Sequence, residues 1–245
     1  MGSLLPITLR PMDFVRSIVR PIREFIYPPV CFVCDAPLTE SNSRVCGQCW
    51  TRIRPVDSED ELYRVMSDRL RVSGSIAHLV SAYHFEKDGV LQSLIHQLKY
   101  EAFTRIGIEL GEKLGGVVAA MAGFPNVYGI IPVPLHRLKE RERGYNQSEF
   151  ICKGISNVTG LQVCPALLFR KKYTRSQTQL NAAERKENVG DAFEATPFGR
   201  SVIQGHTFIV ADDVITTGAT IEACARVLKA NGARSVIAAS VALAE

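Results

Sequence analysis

The chain has no uncharged apolar stretch long enough to cross a bilayer, no internal repeat and no low-complexity tract. It also lacks an export signal, because charged residues interrupt the apolar positions near the N-terminus, namely Arg10, Asp13, Arg16 and Arg20. The charge balance is mild, with a formal net charge of +4 over 245 residues. These absences predict a cytoplasmic protein without a membrane span. The small positive charge permits anionic substrates or nucleic acid but requires neither.

The composition, 46% hydrophobic and 22% charged, is that of a globular protein with a full core. Short apolar, β-branched segments alternate along the chain with segments of helical periodicity. We expect strands at 77–85, 127–133, 167–170, 207–211 and 235–242, and helices at 90–121, 148–160 and 220–231. Strands interleaved with helices predict an α/β fold with a mainly parallel sheet flanked by helices.

Two further segments precede this region. Residues 1–29 form an amphipathic N-terminal segment, in which positions 11–27 have helical apolar spacing with arginines on the other face. Such a helix could lie on a membrane surface, although packing against the protein's own body is the favoured interpretation. A small cysteine-containing segment follows at 30–56. Residues 55–74 are polar and predict a linker with one short helix, so the main domain is expected at 75–245.

Four of the seven cysteines are tightly spaced in two Cys-x-x-Cys pairs, Cys31 with Cys34 and Cys46 with Cys49. Two such pairs can complete a tetrahedral zinc site of four thiolates. Buried free cysteines or disulfides are the alternatives, but the paired spacing favours metal in a reducing compartment. No histidine or carboxylate completes an open catalytic site, so we expect one structural zinc ion. The scattered cysteines, Cys152, Cys164 and Cys224, are predicted core residues.

The most informative segment is 208–220, where a buried strand runs into two carboxylates, Asp212 and Asp213. A small-residue loop and a helix follow, and this loop consists of Thr216, Thr217, Gly218, Ala219 and Thr220. Ligands of parallel sheets bind beyond the carboxyl ends of the strands. The hydroxyl groups, the glycine and the helix N-terminus are suited to a phosphate. An acidic pair can simply cap a helix, but the full order favours a ligand with a phosphate and vicinal hydroxyls, or a magnesium ion.

Two other segments carry basic side chains near predicted strand ends. The turn Pro134, Leu135, His136 and Arg137 follows the strand at 127–133 and could hold a second phosphate. The bases at 139–143 alternate with glutamates, which is also typical of a solvated helix face. Residues 170–193 form a long, polar, basic loop between two strands. Loops of this length are usually lids or disordered, and a basic lid could close over a pyrophosphate.

Segment 208–220 resembles the phosphoribosyl pyrophosphate (PRPP) motif of type I phosphoribosyltransferases. Together with the cysteine pairs, the Pro-Val-Pro turn, Arg-Gly-Tyr-Asn-Gln at 143–147 and Ser-Gln-Thr-Gln-Leu at 176–180, it makes residues 30–245 similar to the ComF competence family. The resemblance implies a type I phosphoribosyltransferase fold. Asp212 and Asp213 would hold the ribose hydroxyls, and residues 216–220 the 5-phosphate. Residues 134–137 would form the pyrophosphate loop, and the lid would contribute Arg175 and Gln177, with magnesium accompanying PRPP.

Two departures matter. The related amidophosphoribosyltransferases have small residues after their Pro-Val-Pro turn, where this chain has Leu135, His136 and Arg137. Position 2 is glycine rather than a nucleophilic cysteine, so glutamine hydrolysis by that route is not expected. Three functions stay open: phosphoribosyl transfer from PRPP to a nitrogen acceptor, in which Arg175 and the acidic pair would be catalytic; a PRPP or nucleotide sensor; and a component of DNA uptake that acts with single-stranded DNA and a helicase-like partner.

Overall fold

The structure is a computed structural model that describes residues 29–38, 43–100, 103–121, 126–172 and 191–245. The chain divides into two compact units, Met1–Trp50 and Thr51–Glu245. The amphipathic helix predicted over 11–27 lies outside the described residues. Within them, no helix combines the length and the apolar character that a membrane span needs.

The smaller unit is built around a tight turn that the first cysteine pair begins. Asp35, in a left-handed conformation (φ 57°), reverses the chain so that the N–H of Cys31 donates to Ala36 and Val30 pairs with Pro37. The second cysteine pair is at the start of a short helix, α1 (Gly47–Thr51).

The larger unit alternates strands and helices. Its helices are α2 (Glu61–Val72), α3 (Val90–Tyr100), α4 (Thr104–Ala119), α5 (Arg137–Arg143), α6 (Gln147–Thr159), α7 (Pro197–Ile203) and α8 (Ala219–Ala230). Its strands are β1 (His78–His84), β2 (Val127–Pro132), β3 (Gln162–Val163), β4 (Leu168–Arg170), β5 (Phe193–Ala195), β6 (Thr207–Ile215) and β7 (Ser235–Leu243).

The main sheet has the strand order β1-β7-β6-β2-β3, and every pair in it is parallel. The central strands β6 and β7 are apolar and almost entirely buried, as expected for a parallel sheet covered on both faces. Helices α4 and α6 pack on one face, and α2, α8 and the antiparallel β4–β5 hairpin contribute to the core on the other. The predicted α/β fold with a mainly parallel sheet is confirmed.

A close crossing of α4 and α6 fixes the position of α6. A Cβ atom added at Gly111 would lie 2.1 Å from the carbonyl oxygen of Ile151, and one added at Gly154 would lie 2.1 Å from that of Ile108. Only glycine lets the two backbones approach so closely. The first turn of α6 is thereby held against the sheet, where it contributes to the site described below.

Two parts of the chain differ from the sequence-based expectations. The polar segment 55–74 contains the 12-residue helix α2, whose Met66 and Leu70 are buried in the core. Strand β6 does not end before the acidic pair but continues through Asp212 and Asp213 to Ile215, because its pairing with β7 continues to Leu243. The acidic pair therefore lies on a rigid strand and not on a loop.

Candidate functional site

The acidic pair occupies the carboxyl-terminal part of the central strand β6. Two donors bind Oδ1 of Asp212: the Ser148 hydroxyl at 3.0 Å and the Asp213 N–H at 2.9 Å. Oδ1 of Asp213 accepts the Val214 N–H at 2.7 Å, and its Oδ2 lies 2.6 Å from the Lys99 ammonium. Among the described residues, Oδ2 of Asp212 has no such partner. Asp213 is locked in place, and Asp212 keeps one oxygen for a ligand.

The electrostatics of the pair follow from its burial. Burial and the neighbouring Asp213 carboxylate raise the pKa of Asp212 to about 7, against the lowering effects of Lys99 and the hydrogen bonds. Burial lowers the pKa of Lys99, but the Asp213 carboxylate outweighs it, so this pKa is raised overall and the ammonium stays charged. Such an acidic pair favours a ligand that brings hydroxyl donors or positive charge to Asp212.

The phosphate-type loop follows β6 directly. Gly218 is the N-cap of α8 in a left-handed conformation (φ 75°), and a Cβ atom there would lie 2.7 Å from Leu70 Cδ2. The left-handed conformation favours glycine, and a Cβ atom there would also require the Leu70 side chain to shift. The Ala219 N–H is 3.4 Å from the Thr217 hydroxyl oxygen, while Thr216 is exposed and Thr220 half-buried in the first helical turn. The first N–H groups of α8 have no intrahelical acceptor, and together with these hydroxyls they are donors of the kind that can bind an anion.

The turn predicted to bind pyrophosphate leads into α5 instead of curling into an open loop. Pro134 is buried, Leu135 is half-buried, and Arg137 is exposed at the start of α5. Nδ1 of His136 caps α5 by accepting the Leu138 N–H at 3.2 Å. At least one nitrogen of His136 is therefore engaged in the local fold.

The Arg-Gly-Tyr-Asn-Gln segment at 143–147 connects several neighbouring elements by hydrogen bonds. Asn146 caps α6 through the Ser148 N–H at 3.1 Å and donates its buried amide to the Val133 carbonyl at 3.0 Å. The Tyr145 hydroxyl donates to the Leu98 carbonyl, and Arg143 donates to Gln147. These hydrogen bonds connect the ends of α3, β2 and α5 with the start of α6. They thereby help to position Lys99 and Ser148 beside the acidic pair.

Cationic side chains surround this site. Burial lowers the pKa of Lys139, and so do the charges of Arg170, Arg143 and Lys99. Burial also lowers the pKa of Arg170, although Cys224 and Asp212 oppose this shift. Cations that depress one another's pKa form a region of concentrated positive potential, which is suited to a polyanionic ligand.

The lid residues Arg175 and Gln177 lie outside the described residues. The two ends of their segment are adjacent, because Arg170 pairs with Phe193 in the β4–β5 hairpin and the Lys171 N–H donates to Ala192 at 2.8 Å. A parallel bridge between His136 and Arg170 connects this hairpin to the turn after β2.

In the smaller unit, the sulfurs of Cys31, Cys34, Cys46 and Cys49 all lie within 4.8 Å of one another. Cys34 and Cys46 are 3.7 Å apart, close to the sulfur separation of about 3.8 Å that Zn–S bonds of about 2.3 Å give in a tetrahedron. Burial raises the pKa of Cys31, but backbone N–H groups lower it more, to about 6. Burial and the neighbouring thiols raise that of Cys49 to about 12. A divalent cation removes this conflict between crowded thiolates, so the residues fit a structural zinc ion.

Lys99 and Ser148 were not identified from the sequence. Lys99 had a usable signal, since it is four residues after Ile95 and so shares the buried stripe of α3, where an unpaired lysine would be unfavourable. Ser148 is separated from Asp212 by 64 residues and carries no local signal of its role. Of the scattered cysteines, Cys152 and Cys224 are buried and Cys164 is partly buried.

Comparison with known families gives two matches. A phosphoribosyl transferase domain covers residues 166–244, and a double zinc ribbon domain covers residues 22–60. Between residues 22 and 60 the chain has four cysteines, enough for one four-thiolate site. Fold and site thus define a phosphoribosyltransferase-like protein with an N-terminal zinc ribbon.

Among relatives, DNA utilization protein YhgH of Salmonella typhi is 28% identical over 85% of this chain and 94% of its own length. Competence protein F of Haemophilus influenzae is 30% identical over 44% of this chain and 46% of its own. The chain belongs to the ComF family, as its motifs indicated.

Two solved structures are also similar. One is an allosteric regulatory enzyme of purine biosynthesis, with 23% identity, coverage of 55% of this chain and 25% of that chain, and a TM-score of 0.37. The other is glutamine PRPP amidotransferase from B. subtilis with ADP and GMP, with 20% identity, coverage of 59% and 30%, and a TM-score of 0.39. These scores are low, and the fold assignment stands on the domain match and the strand order.

Proposed function

We propose that this protein binds PRPP at the carboxyl-terminal part of β6 and transfers its phosphoribosyl group to a nitrogen acceptor. The proposal rests on the different surroundings of the two carboxylates. Lys99 forms an ion pair with Asp213, while Oδ2 of Asp212 has no donor among the described residues and can accept a hydrogen bond from a ligand. A ribose 2- or 3-hydroxyl can donate to that oxygen, and the loop at 216–220 can accept the 5-phosphate. In this proposal the protein acts in the cytoplasm, where thiols stay reduced and available for zinc.

In the proposed reaction, the bond between C1 of the ribose and the pyrophosphate oxygen breaks, and a bond from C1 to nitrogen forms. Pyrophosphate leaves with the bonding electrons, and the acceptor nitrogen releases a proton. Positive charge develops on the ribose ring, so catalysis depends mainly on position and charge. Asp212 would orient the ribose, and Lys139, Arg143 and Arg170 would provide positive potential for the leaving group. Magnesium bound to the pyrophosphate would offset its remaining charge.

Calorimetric titration with magnesium-PRPP tests the binding step. The wild-type protein should bind, and the double variant Asp212→Asn/Asp213→Asn should lose binding. Glu61→Gln/Asp68→Asn removes two exposed carboxylates of α2 and serves as the charge-matched control. Absence of binding by the wild-type protein would refute the proposal. Pyrophosphate release with a panel of amines and bases then separates an enzyme from a sensor, since a sensor binds PRPP without turnover.

A second candidate function is a DNA-uptake component that binds single-stranded DNA beside a helicase-like partner. The surrounding cations and the relatives named for DNA utilization and competence favour it. Binding of this kind should weaken steeply with salt, because phosphate contacts release counterions. Fluorescence anisotropy with a labelled oligonucleotide between 50 and about 200 mM salt measures the slope. No binding at the lowest salt concentration would exclude this candidate.

A further inference from the structure

Tyr100, the last residue of α3, has a large aromatic side chain that is unusually open to solvent. It is 70% exposed, whereas Tyr63 is partly buried and its hydroxyl donates to the Leu79 carbonyl. A single exposed apolar residue needs no explanation by itself. The position of Tyr100 does, because it directly follows Lys99, whose ammonium is 2.6 Å from Asp213. The ring is also linked to the acidic pair through Arg143, which contacts it and donates to Gln147, the residue before Ser148, whose hydroxyl donates to Asp212. These contacts place the ring near the ribose-phosphate site.

The ring is also held in place. The turn before it is fixed by the Lys99–Asp213 ion pair and by the Tyr145 hydroxyl, which donates to the Leu98 carbonyl. The Arg143 guanidinium carbon is 5.5 Å from the ring centroid, at cation–π distance. The His96 ring lies 4.8 Å away with a tilt of 41°. An aromatic ring on a fixed backbone loses little conformational entropy when a ligand stacks on it.

We propose that Tyr100 and Arg143 form a stacking platform for a nucleobase, adjacent to the ribose-phosphate site. Aromatic and guanidinium planes are the groups on which proteins stack bases. Arg143 and Lys139 add positive charge for the phosphate of the same ligand, so charge complementarity points to a nucleotide rather than an uncharged ring. The ligand is a base that carries phosphate, either as a free nucleotide or within single-stranded DNA.

The neighbouring Tyr145 does not offer a free ring in the same way, because its hydroxyl donates to the Leu98 carbonyl and its ring packs edge-on against Phe150 at 5.5 Å. The proposal rests on the proposed function only for the adjacent ribose-phosphate site. PRPP has no base, so it does not report on the platform.

The test compares Tyr100→Ala, Tyr100→Phe and, as matched control, Phe198→Ala, which removes another exposed aromatic ring. Calorimetry with AMP and anisotropy with octathymidylate and an abasic octamer are measured for each protein, beside magnesium-PRPP with the wild type. Tyr100→Ala should weaken binding of at least one base-bearing ligand about 5- to 100-fold. Tyr100→Phe and Phe198→Ala should stay within about twofold of the wild type.

The outcomes separate cleanly. Loss with AMP identifies free nucleotides as the ligand, and loss only with octathymidylate but not with the abasic strand identifies bases of DNA. Equal affinities of wild type and Tyr100→Ala, or a wild type that binds magnesium-PRPP but no base-bearing ligand, overturn the platform. If magnesium-PRPP fails to bind while base-bearing ligands depend on Tyr100, the platform stands and the proposed function falls. In a Tyr100→Trp variant, quenching of the new tryptophan by the ligand gives a direct stacking signal.

Discussion

Lys99→Met should destabilise the larger unit far more than an ordinary lysine substitution does. The Lys99 ammonium and the Asp213 carboxylate are 2.6 Å apart, with side chains 25% and 6% exposed. Removing one partner of a buried pair leaves the other charge uncompensated and costs about 3–5 kcal/mol. Because a quarter of Lys99 contacts solvent, we expect the lower end, about 3 kcal/mol, in the free energy of unfolding.

The matched control is Lys171→Met. Lys171 and Glu194 are also 2.6 Å apart, but their side chains are 36% and 43% exposed. An exposed pair contributes about 0–1 kcal/mol, so this variant should be nearly as stable as the wild type. The comparison keeps distance and chemistry constant and changes only burial.

Urea unfolding of the zinc-loaded protein, followed by far-ultraviolet circular dichroism, measures the difference. The single tryptophan, Trp50, is in the smaller unit, so its fluorescence does not report on Lys99. Dichroism is dominated by the strands and helices of the larger unit. If Lys99→Met loses less than about 1 kcal/mol, as Lys171→Met should, then Asp213 is compensated by something other than Lys99 and the assigned division of the acidic pair is wrong.

Three other perturbations have defined outcomes. Gly218→Ala should lower the free energy of unfolding by about 2–3 kcal/mol in urea and abolish PRPP binding. In the control Gly205→Ala, where φ is 76° but the surrounding space is open, only the backbone strain of about 1–2 kcal/mol should remain. Equal losses in the two variants would contradict the close contact between position 218 and Leu70. Asp212→Asn should be more stable than the wild type at pH 8. Since the folded pKa of about 7 exceeds the usual value of 3.8, the wild type loses stability as pH rises from about 4 to 7, so the advantage should fade on acidification, and a constant difference would refute the raised pKa. Metal analysis should find about one zinc per chain, and Cys31→Ser should release it without altering the dichroism of the larger unit; a retained zinc would argue against a four-thiolate site.

The core of the site could be predicted because its chemistry is local. Asp212 and the loop to Thr220 follow one another on a strand, a turn and a helix, so their order in the chain nearly determines their arrangement in space. The strand itself was predicted too short. Carboxylates are uncommon inside strands, and β6 extends beyond them because Asp212, Val214 and Ile215 continue to pair with β7.

The other residues around the site could not be predicted, because their roles depend on contacts that are not evident from their order in the chain. Lys99 reaches Asp213 from α3, which is separated from β6 in the chain by several helices and strands, and only the folded sheet brings the two together. His136 and Asn146 both cap helices, and these roles could be predicted only if the starts of α5 and α6 were already known.

The different surroundings of Asp213 and Asp212 also explain how two adjacent, mutually repelling carboxylates can favour ligand binding. Burial penalises the charged form of Asp212, and repulsion from the adjacent Asp213 carboxylate adds to this, so both raise the pKa of Asp212. Lys99 neutralises Asp213 but leaves Oδ2 of Asp212 without a hydrogen-bond donor among the described residues. The ligand-free protein is therefore less stable than it would be with an asparagine at position 212. A ligand that donates hydroxyl groups to Asp212 relieves this strain and gains affinity from it. Magnesium-PRPP should therefore raise the unfolding midpoint of the wild type more at pH 8 than at pH 5.5, where Asp212 is already protonated, and the difference should disappear in Asp212→Asn.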